Sequence, residues 1–304
     1  MKVVSELIRL RTKREIIAAL RERDIHLKKK LGQNFLIDHN VLDFIVRSAC
    51  VEKTDLALEI GAGTGLLTRH LAEAAGHVVA VEIDPNMAEL CRQHTEGLDN
   101  ITLLVCDALA SKTTLSPKVA RAVQHAMASR GPARLKAVSN LPYAGGAAVI
   151  RALLEGPLRP ELVVCTVQKE VSDKLAAVPG TKDYGPLAVI VQAHARIEEL
   201  CALKPQVFFP EPKVDSAVVR LTPTDEMLRE IRSYETFSEV VRSLFLHRRK
   251  KAVGALALAE RFAMPREKLA AALAGAGIGE GARADALSVE QIVRLANELQ
   301  ELLA

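Results

Sequence analysis

The chain has 304 residues, 49% of them hydrophobic, which is enough for one large domain with a sizeable core and a smaller second domain. No run of 18 or more apolar residues occurs, so the sequence predicts no membrane-spanning helix. The five cysteines are widely spaced and include no Cys-x-x-Cys pair. Their spacing argues against a zinc site or a disulfide framework and favours reduced thiols.

Positive charge is concentrated in two short segments, although the net charge of the chain is only +4. Residues 1–30 carry a net +6 and residues 242–251 a net +5, so the rest of the chain is net acidic. This segregation favours a surface that meets a polyanion such as a nucleic acid. Solvated helix faces remain the alternative reading of both segments.

The first predicted element is a helix over residues 5–23, with Ser5 as its N-cap. It contains acidic residues, which argues against a transit peptide. A lysine run and a glycine then lead to Gln33 and Asn34, followed by a second helix capped near Asp38. The two amides either contact a ligand or form a turn, and the local sequence leaves both possibilities open.

From Leu56 to about Leu221, short apolar runs alternate with helical patterns, which predicts an α/β fold with a parallel sheet covered on both faces. Ligands bind such sheets at the carboxyl ends of the strands, so the residues at those ends are interpreted together. Five successive strands are predicted over residues 56–60, 78–81, 101–105, 135–138 and 162–167. Two more are predicted over residues 198–203 and 216–221.

The first three strand ends carry a glycine turn and two acids. Glu59 precedes Gly61 and Gly63, and glycines there allow a sharp turn and a close approach of a ligand to the backbone. Glu82 follows the second strand, 21 residues after Gly61, where an acid binds the hydroxyls of a ribose. Asp107 follows the third strand and can accept a hydrogen bond from an adenine amino group.

The fourth strand ends in Asn140-Leu141-Pro142-Tyr143, which is suited to holding a planar ring that carries an amino group. The Asn140 side-chain oxygen and the Leu141 carbonyl can accept the two amino hydrogens, because Pro142 restricts Leu141 to extended conformations. Tyr143 can stack on the base. Taken alone, the tetrad can also be a strand end and a turn. With the glycine turn and the acids, it indicates an S-adenosylmethionine pocket that faces an amino substrate.

The sequence resembles the ribosomal RNA adenine N6,N6-dimethyltransferases, particularly those that act on two adjacent adenosines near the 3′ end of small-subunit RNA. The resemblance runs from about Arg11 to the C-terminus. The motifs that carry it are Leu31 to Leu36, Glu59 to Gly61, Glu82, Asp107, Asn140 to Tyr143, Gln168 to Glu170, Tyr184-Gly185, Phe208 with Pro210 to Val219, and Arg248 to Lys250.

The resemblance implies a Rossmann-like class I S-adenosylmethionine-dependent methyltransferase domain over residues 1–222 and a small all-helical RNA-binding domain over residues 223–304. The catalytic residues expected from it are Asn140, Leu141, Pro142, Tyr143 and Phe208, with Phe208 on the opposite face of the base from Tyr143. The cofactor contacts expected are Gln33, Asn34, Leu36, Glu59, Gly61, Gly63, Glu82, Asp107, Ala108 and Asn140, and no metal is expected. RNA contacts are expected at Lys28, Lys29, Lys30, Arg248, Arg249 and Lys250.

The implied activity is dimethylation of the N6 amino groups of two adjacent adenosines in small-subunit (16S) ribosomal RNA during ribosome biogenesis. The implied setting is a cytoplasmic monomer that acts on an immature small subunit. The alternatives are an assembly factor that binds RNA without catalysis, an adenine methyltransferase for large-subunit RNA, and a nicotinamide oxidoreductase. The last has no use for the residue 140–143 tetrad beside two basic segments. Two departures from the family pattern, Ala144 and an Ala-rich connection over residues 110–132, concern substrate detail.

Overall fold

The computed structural model describes residues 12–25, 27, 32–130 and 134–303. Ser5, Lys28, Lys29 and Lys30 lie outside the described residues. The chain forms two compact units. The first comprises the described residues up to Ser172 together with Glu198–Pro223, and the second comprises Asp173–Ile197 and the residues from Thr224 onward.

Strands and helices alternate over most of the first unit, and the chain after β11 forms only helices in the described residues. In chain order they are α1 Lys13–Glu22, β1 Phe35–Leu36, α2 His39–Ser48, β2 Leu56–Ile60, α3 Leu66–Ala74, β3 His77–Glu82, α4 Pro85–His94, β4 Ile101–Val105, β5 Leu109–Ser111, β6 Thr114–Leu115, α5 Pro117–Arg130, β7 Leu135–Asn140, α6 Gly146–Glu155, β8 Leu162–Gln168, α7 Lys169–Leu175, α8 Pro186–His194, β9 Ala195–Leu203, β10 Phe208–Phe209, β11 Ser216–Pro223, α9 Glu226–Glu230, α10 Tyr234–Leu246, α11 Ala252–Leu256, α12 Arg266–Gly275 and α13 Val289–Leu303.

The central sheet has seven strands in the order β4-β3-β2-β7-β8-β11-β9. Strands β4, β3, β2, β7 and β8 are parallel, and β11 is antiparallel to β8. Every residue of β2 and β3 is buried, so both faces of the sheet are covered there. The strands predicted from the apolar runs are confirmed, and the α/β fold class with them.

The order reverses between β2 and β7, because the chain runs outward from β2 through β3 to β4 and then returns to the other side of β2. The carboxyl ends of β2 and β7 therefore lie side by side at a topological switch point, where sheets of this kind bind ligands. Glu59 and Ile60 end the first of these strands, and Asn140 ends the second.

Two segments differ from the sequence prediction. The described helix α1 begins at Lys13, because Thr12 is extended and caps it. The Thr12 hydroxyl accepts a hydrogen bond from the Glu15 amide, and the Glu15 carboxylate accepts one from the Thr12 amide. The predicted helix over residues 5–23 therefore does not run through Thr12. The connection over residues 110–132 contains a short hairpin, β5 with β6, and the 14-residue helix α5, which contacts β2 and β3.

The second unit has its own apolar core. Phe237 of α10, Leu269 of α12 and Ile292 of α13 are fully buried there. The Tyr184 hydroxyl donates to the Leu287 carbonyl at 2.8 Å, which ties the segment before α8 to the segment before α13. Residues 173–197 belong to this second unit although they precede the last strand of the sheet in the chain, and no sequence feature indicated this grouping.

Candidate active site

One cavity of about 270 Å³ lies at the carboxyl edge of the sheet. It is bordered by the ends of β2, β3, β4 and β7 and by the turn before β1. The structure brings nine of the predicted residues to its wall: Gln33, Asn34, Gly61, Gly63, Glu82, Asp107, Ala108, Asn140 and Pro142. Five others do not line it: Leu36, Glu59, Leu141, Tyr143 and Phe208.

The glycine turn after β2 requires residues without a Cβ. Gly61 and Gly63 have φ angles of 86° and 56°, in the left-handed region that favours glycine. A Cβ on Gly63 would stand 2.9 Å from two ring carbons of Phe35, which is closer than van der Waals contact between carbon atoms allows. The turn therefore places Gly61 and Gly63 at the cavity wall.

Glu82 is an acid held in place by backbone amides. One carboxylate oxygen accepts from the Gly63 amide and the other from the Asp84 amide, both at 2.8 Å. Burial raises the pKa of Glu82, and the two amide bonds oppose that rise. Each oxygen keeps a lone pair beyond these bonds, so the side chain can still accept hydrogen bonds from a diol in the cavity.

Glu59 is turned away from the cavity. The residue is 1% exposed, and its carboxyl group accepts from the Thr68 hydroxyl of α3 at 2.5 Å. Burial raises the pKa of Glu59 to about 8. The side chain therefore carries a proton near neutral pH. The predicted contact between Glu59 and the cofactor stays a prediction.

Asp107 and the turn before β1 form the remaining polar wall. One Asp107 carboxylate oxygen accepts from the Leu109 amide at 2.8 Å, which fixes the side chain at the end of β4. The Gln33 side chain donates to Asp84 at 3.4 Å, and that of Asn34 donates to the Gly32 carbonyl at 3.3 Å. Asp84 also caps α4, because its side chain accepts from the Asn86 amide.

The Asn140 amide bridges two segments of the site. Its nitrogen donates to the Asn34 carbonyl at 2.9 Å. Its oxygen accepts from the Thr166 hydroxyl, which lies on the neighbouring strand β8. Thr166 was missed by the sequence analysis, although a hydroxyl inside the apolar run of residues 162–167 is a visible signal.

The rings of Tyr143 and Phe208 contact each other edge to face, so they do not form two parallel planes between which a base could stack. Their ring centroids are 6.4 Å apart and the planes are inclined by 71°. The Tyr143 hydroxyl is hydrogen-bonded to the Ser216 hydroxyl at 2.5 Å, and Phe208 is fully buried. A base can stack on both rings only if at least one of them moves. Their predicted roles on the two faces of the base stay predictions.

In the second unit, the cationic residues after α10 differ in how they are held. Arg248 donates to the Lys182 carbonyl at 2.9 Å and lies 3.8 Å from the Asp285 carboxylate. Arg249 and Lys250 are exposed. Their predicted contact with RNA stays a prediction.

No described helix is long and apolar enough to cross a membrane.

The residues at the cavity fit S-adenosylmethionine. A buried acid with unused lone pairs lines it after β3, a second acid follows β4, and Gly61 and Gly63 of the glycine turn line it after β2. Two solved structures share the fold. A dimethyladenosine transferase from Plasmodium falciparum has a TM-score of 0.72 and 23% identity, over 87% of this chain and 96% of that one. The 23S rRNA methyltransferase ErmE has a TM-score of 0.62 and 30% identity, over 88% and 99%. The fold and the cavity define a class I S-adenosylmethionine-dependent methyltransferase.

Sequence comparison narrows this class. Residues 25–301 match the family described as ribosomal RNA adenine dimethylase. A protein named ribosomal RNA small subunit methyltransferase A, from Caldanaerobacter subterraneus subsp. tengcongensis, is 38% identical over 276 residues. The match covers 91% of this chain and 98% of that protein. The chain belongs to the ribosomal RNA adenine dimethylase family, and the resemblance drawn from its motifs is confirmed.

Proposed function

We propose that the protein transfers methyl groups from S-adenosylmethionine to the N6 amino groups of two adjacent adenosines near the 3′ end of small-subunit ribosomal RNA. The observation that carries this proposal is the position of Asn140 and Pro142. Both line the same cavity as Glu82 and Asp107, so the site for the amino acceptor adjoins the site for the methyl donor. The small-subunit relative that covers nearly the full chain supports the choice of substrate.

Donor binding is assigned to the acids and amides of the cavity wall. Glu82 accepts from the ribose hydroxyls with the lone pairs that its two amide bonds leave. Asp107, fixed by the Leu109 amide, accepts from the adenine amino group, and Ala108 packs beside it. Gln33 and Asn34 close the cavity from the turn before β1.

Acceptor activation is assigned to Asn140 and Leu141. The N6 lone pair of adenine is delocalised into the ring, so the nitrogen becomes nucleophilic when two acceptors bind its hydrogens and turn the lone pair out of the plane. The Asn140 oxygen and the Leu141 carbonyl are those acceptors. The cofactor supplies a methyl group that is already activated by its sulfonium, so orientation and electrostatics are the main tasks of the protein. No histidine is assigned as a general base, because N6 becomes acidic only once it carries the new methyl.

The RNA contacts are assigned to the two basic segments. Arg249 and Lys250 are exposed, so phosphates of the RNA can reach them. We place the enzyme in the cytoplasm as a monomer that acts on an immature small subunit. The target base is extruded towards Tyr143 and Phe208, and stacking offsets part of the few kcal/mol, roughly, that extrusion costs.

A second candidate is methylation of large-subunit RNA, which the similarity to ErmE favours. The deciding experiment incubates the protein and labelled S-adenosylmethionine with small and large subunits that lack adenine methylation, and then analyses the nucleosides by mass spectrometry. Labelled N6,N6-dimethyladenosine from small subunits alone is expected. Label from large subunits alone would overturn the choice of substrate. Tight binding to small subunits without label would favour an assembly factor.

A further inference from the structure

A buried threonine lies directly beside the residue assigned to acceptor activation. Strands β7 and β8 run parallel, and Asn140 is in register with Thr166 across them. Thr166 is 0% exposed. Burying a hydroxyl costs free energy unless the hydroxyl is hydrogen-bonded, and that of Thr166 donates to the Asn140 side-chain oxygen. A valine has a similar volume and would fill the same position without needing a hydrogen-bond partner.

The bonding partners of Asn140 allow only one orientation of its amide. The Asn34 carbonyl has lone pairs and no hydrogen, so it must face the amide nitrogen, at 2.9 Å. The amide oxygen then faces Thr166, and the threonine hydroxyl must be the donor of that bond. A rotation of the amide by half a turn would place two acceptors against each other at Asn34.

The oxygen has one lone pair left after it accepts from Thr166. That lone pair suits a substrate group that brings a hydrogen, as an amino group does. A carbonyl at the same position would bring a second acceptor and be repelled. The orientation of the amide therefore decides which kind of exocyclic group the site accepts.

We propose that Thr166 is a positioning residue for methyl transfer: by donating to Asn140 it holds the amide oxygen towards the acceptor nitrogen and makes the site selective for an amino group. The inference rests on the proposed function of Asn140. Thr166 acts through Asn140 and does not line the cavity.

The test compares Thr166→Val, which removes the donor at nearly constant volume, with Thr166→Ser, which keeps the donor. Single-turnover methyl transfer to small subunits is measured at saturating S-adenosylmethionine. The valine variant is expected to be slower by about tenfold, the weight of one hydrogen bond, and the serine variant to recover to within about twofold. The Kd for the cofactor is expected to change by less than about twofold in both variants, since Thr166 itself does not line the cavity.

A second readout follows the amide itself. The side-chain NH₂ signals of Asn140 in a ¹⁵N-correlated spectrum are assigned by their absence from Asn140→Ala. They are expected to shift or broaden in the valine variant and to stay in place in the serine variant. This readout needs no RNA, so it separates failure of the inference from failure of the proposed function.

Three results would overturn the inference. They are a valine variant with the wild-type rate and amide signals, a serine variant as impaired as the valine one, and a valine variant whose loss appears wholly in cofactor affinity. If Thr166→Val does not fold, the serine variant and the amide signals of the wild-type protein still test it, because a freely rotating Asn140 amide in the wild type contradicts the proposal.

Discussion

Replacing Glu59 by glutamine tests whether its carboxyl group is protonated in the folded protein. Burial raises the pKa of Glu59 from 4.5 to about 8, so the folded state holds a proton that the unfolded state releases between those pH values. Stability conferred by that proton is fully present below pH 4.5 and is lost as the pH rises towards about 8. The loss is at most about 1.4 kcal/mol per pH unit, or roughly 5 kcal/mol over the whole window.

Glutamine mimics the protonated acid, because its oxygen accepts from Thr68 and its NH₂ group replaces the carboxylic OH. The free energy of unfolding of Glu59→Gln is therefore expected to exceed that of the wild type by an amount that grows from pH 5 to pH 8. Urea unfolding, followed by circular dichroism at several pH values, measures this difference. Glu73→Gln, at a side chain that is 56% exposed, is the matched control and is expected to give a constant difference.

A difference between Glu59→Gln and the wild type that does not change with pH would refute the reasoning. The same variant also tests the predicted cofactor contact. Because Glu59 does not line the cavity, the Kd for S-adenosylmethionine is expected to stay within about twofold of the wild-type value, less than the loss of one hydrogen bond.

Three other substitutions are expected to separate chemistry, cofactor binding and RNA binding. Asn140→Ala should lower the single-turnover rate by about 100-fold or more, as removal of an oriented polar group does elsewhere, and an unchanged rate would end its catalytic assignment. Gly63→Ala should lower stability by about 1 to 3 kcal/mol, because its backbone is left-handed and its Cβ would clash with Phe35, and calorimetry should show weakened cofactor binding. Arg249→Ala combined with Lys250→Ala should weaken RNA binding and reduce the slope of log affinity against log salt by roughly 1 to 2, whereas an unaltered slope would exclude phosphate contacts there.

The chain offers a matched control for two of these variants. Gly97 also has a left-handed φ, of 86°, but a Cβ there would meet nothing within 4 Å. Gly97→Ala is therefore expected to show the backbone cost without loss of cofactor binding. Arg229 is exposed on α9, and its side chain is 82% exposed, so Arg229→Ala is the control for loss of one surface charge.

The strands of the sheet were predictable because each is a short continuous apolar run, typical of strands buried on both faces. Strand β2 has the bounds that its sequence predicts, Leu56–Ile60. The positions of Glu82, Asp107 and Asn140 followed, since parallel strands bring their carboxyl ends to one edge. The local sequence pattern was therefore sufficient to place residues that lie at the carboxyl ends of these parallel strands.

What could not be predicted depends on contacts between distant segments. Glu59 stands next to the glycine turn in sequence, yet its side chain lies against Thr68 and not at the cavity. The edge-to-face arrangement of Tyr143 and Phe208 joins residues 65 positions apart, and no local periodicity encodes it. Helix α5 was missed because its residues are alanine-rich with a weak apolar stripe, although alanine favours helices and Pro117 suits a first turn.

The two-residue ribbon of β1 with β10 links the segment that borders the cavity, before β1, to the segment that contains Phe208. Leu36 pairs with Phe208, Phe35 pairs with Phe209, and the Ile37 amide donates to the Val207 carbonyl at 2.9 Å. The turn before β1 also supplies the Asn34 carbonyl that binds the Asn140 amide. Under the proposed function, a base that displaced Phe208 would pull, through this pairing, on the segment that borders the cavity. Under that function, exchange of spent cofactor between two transfers to one nitrogen would then depend on whether a base is still in place.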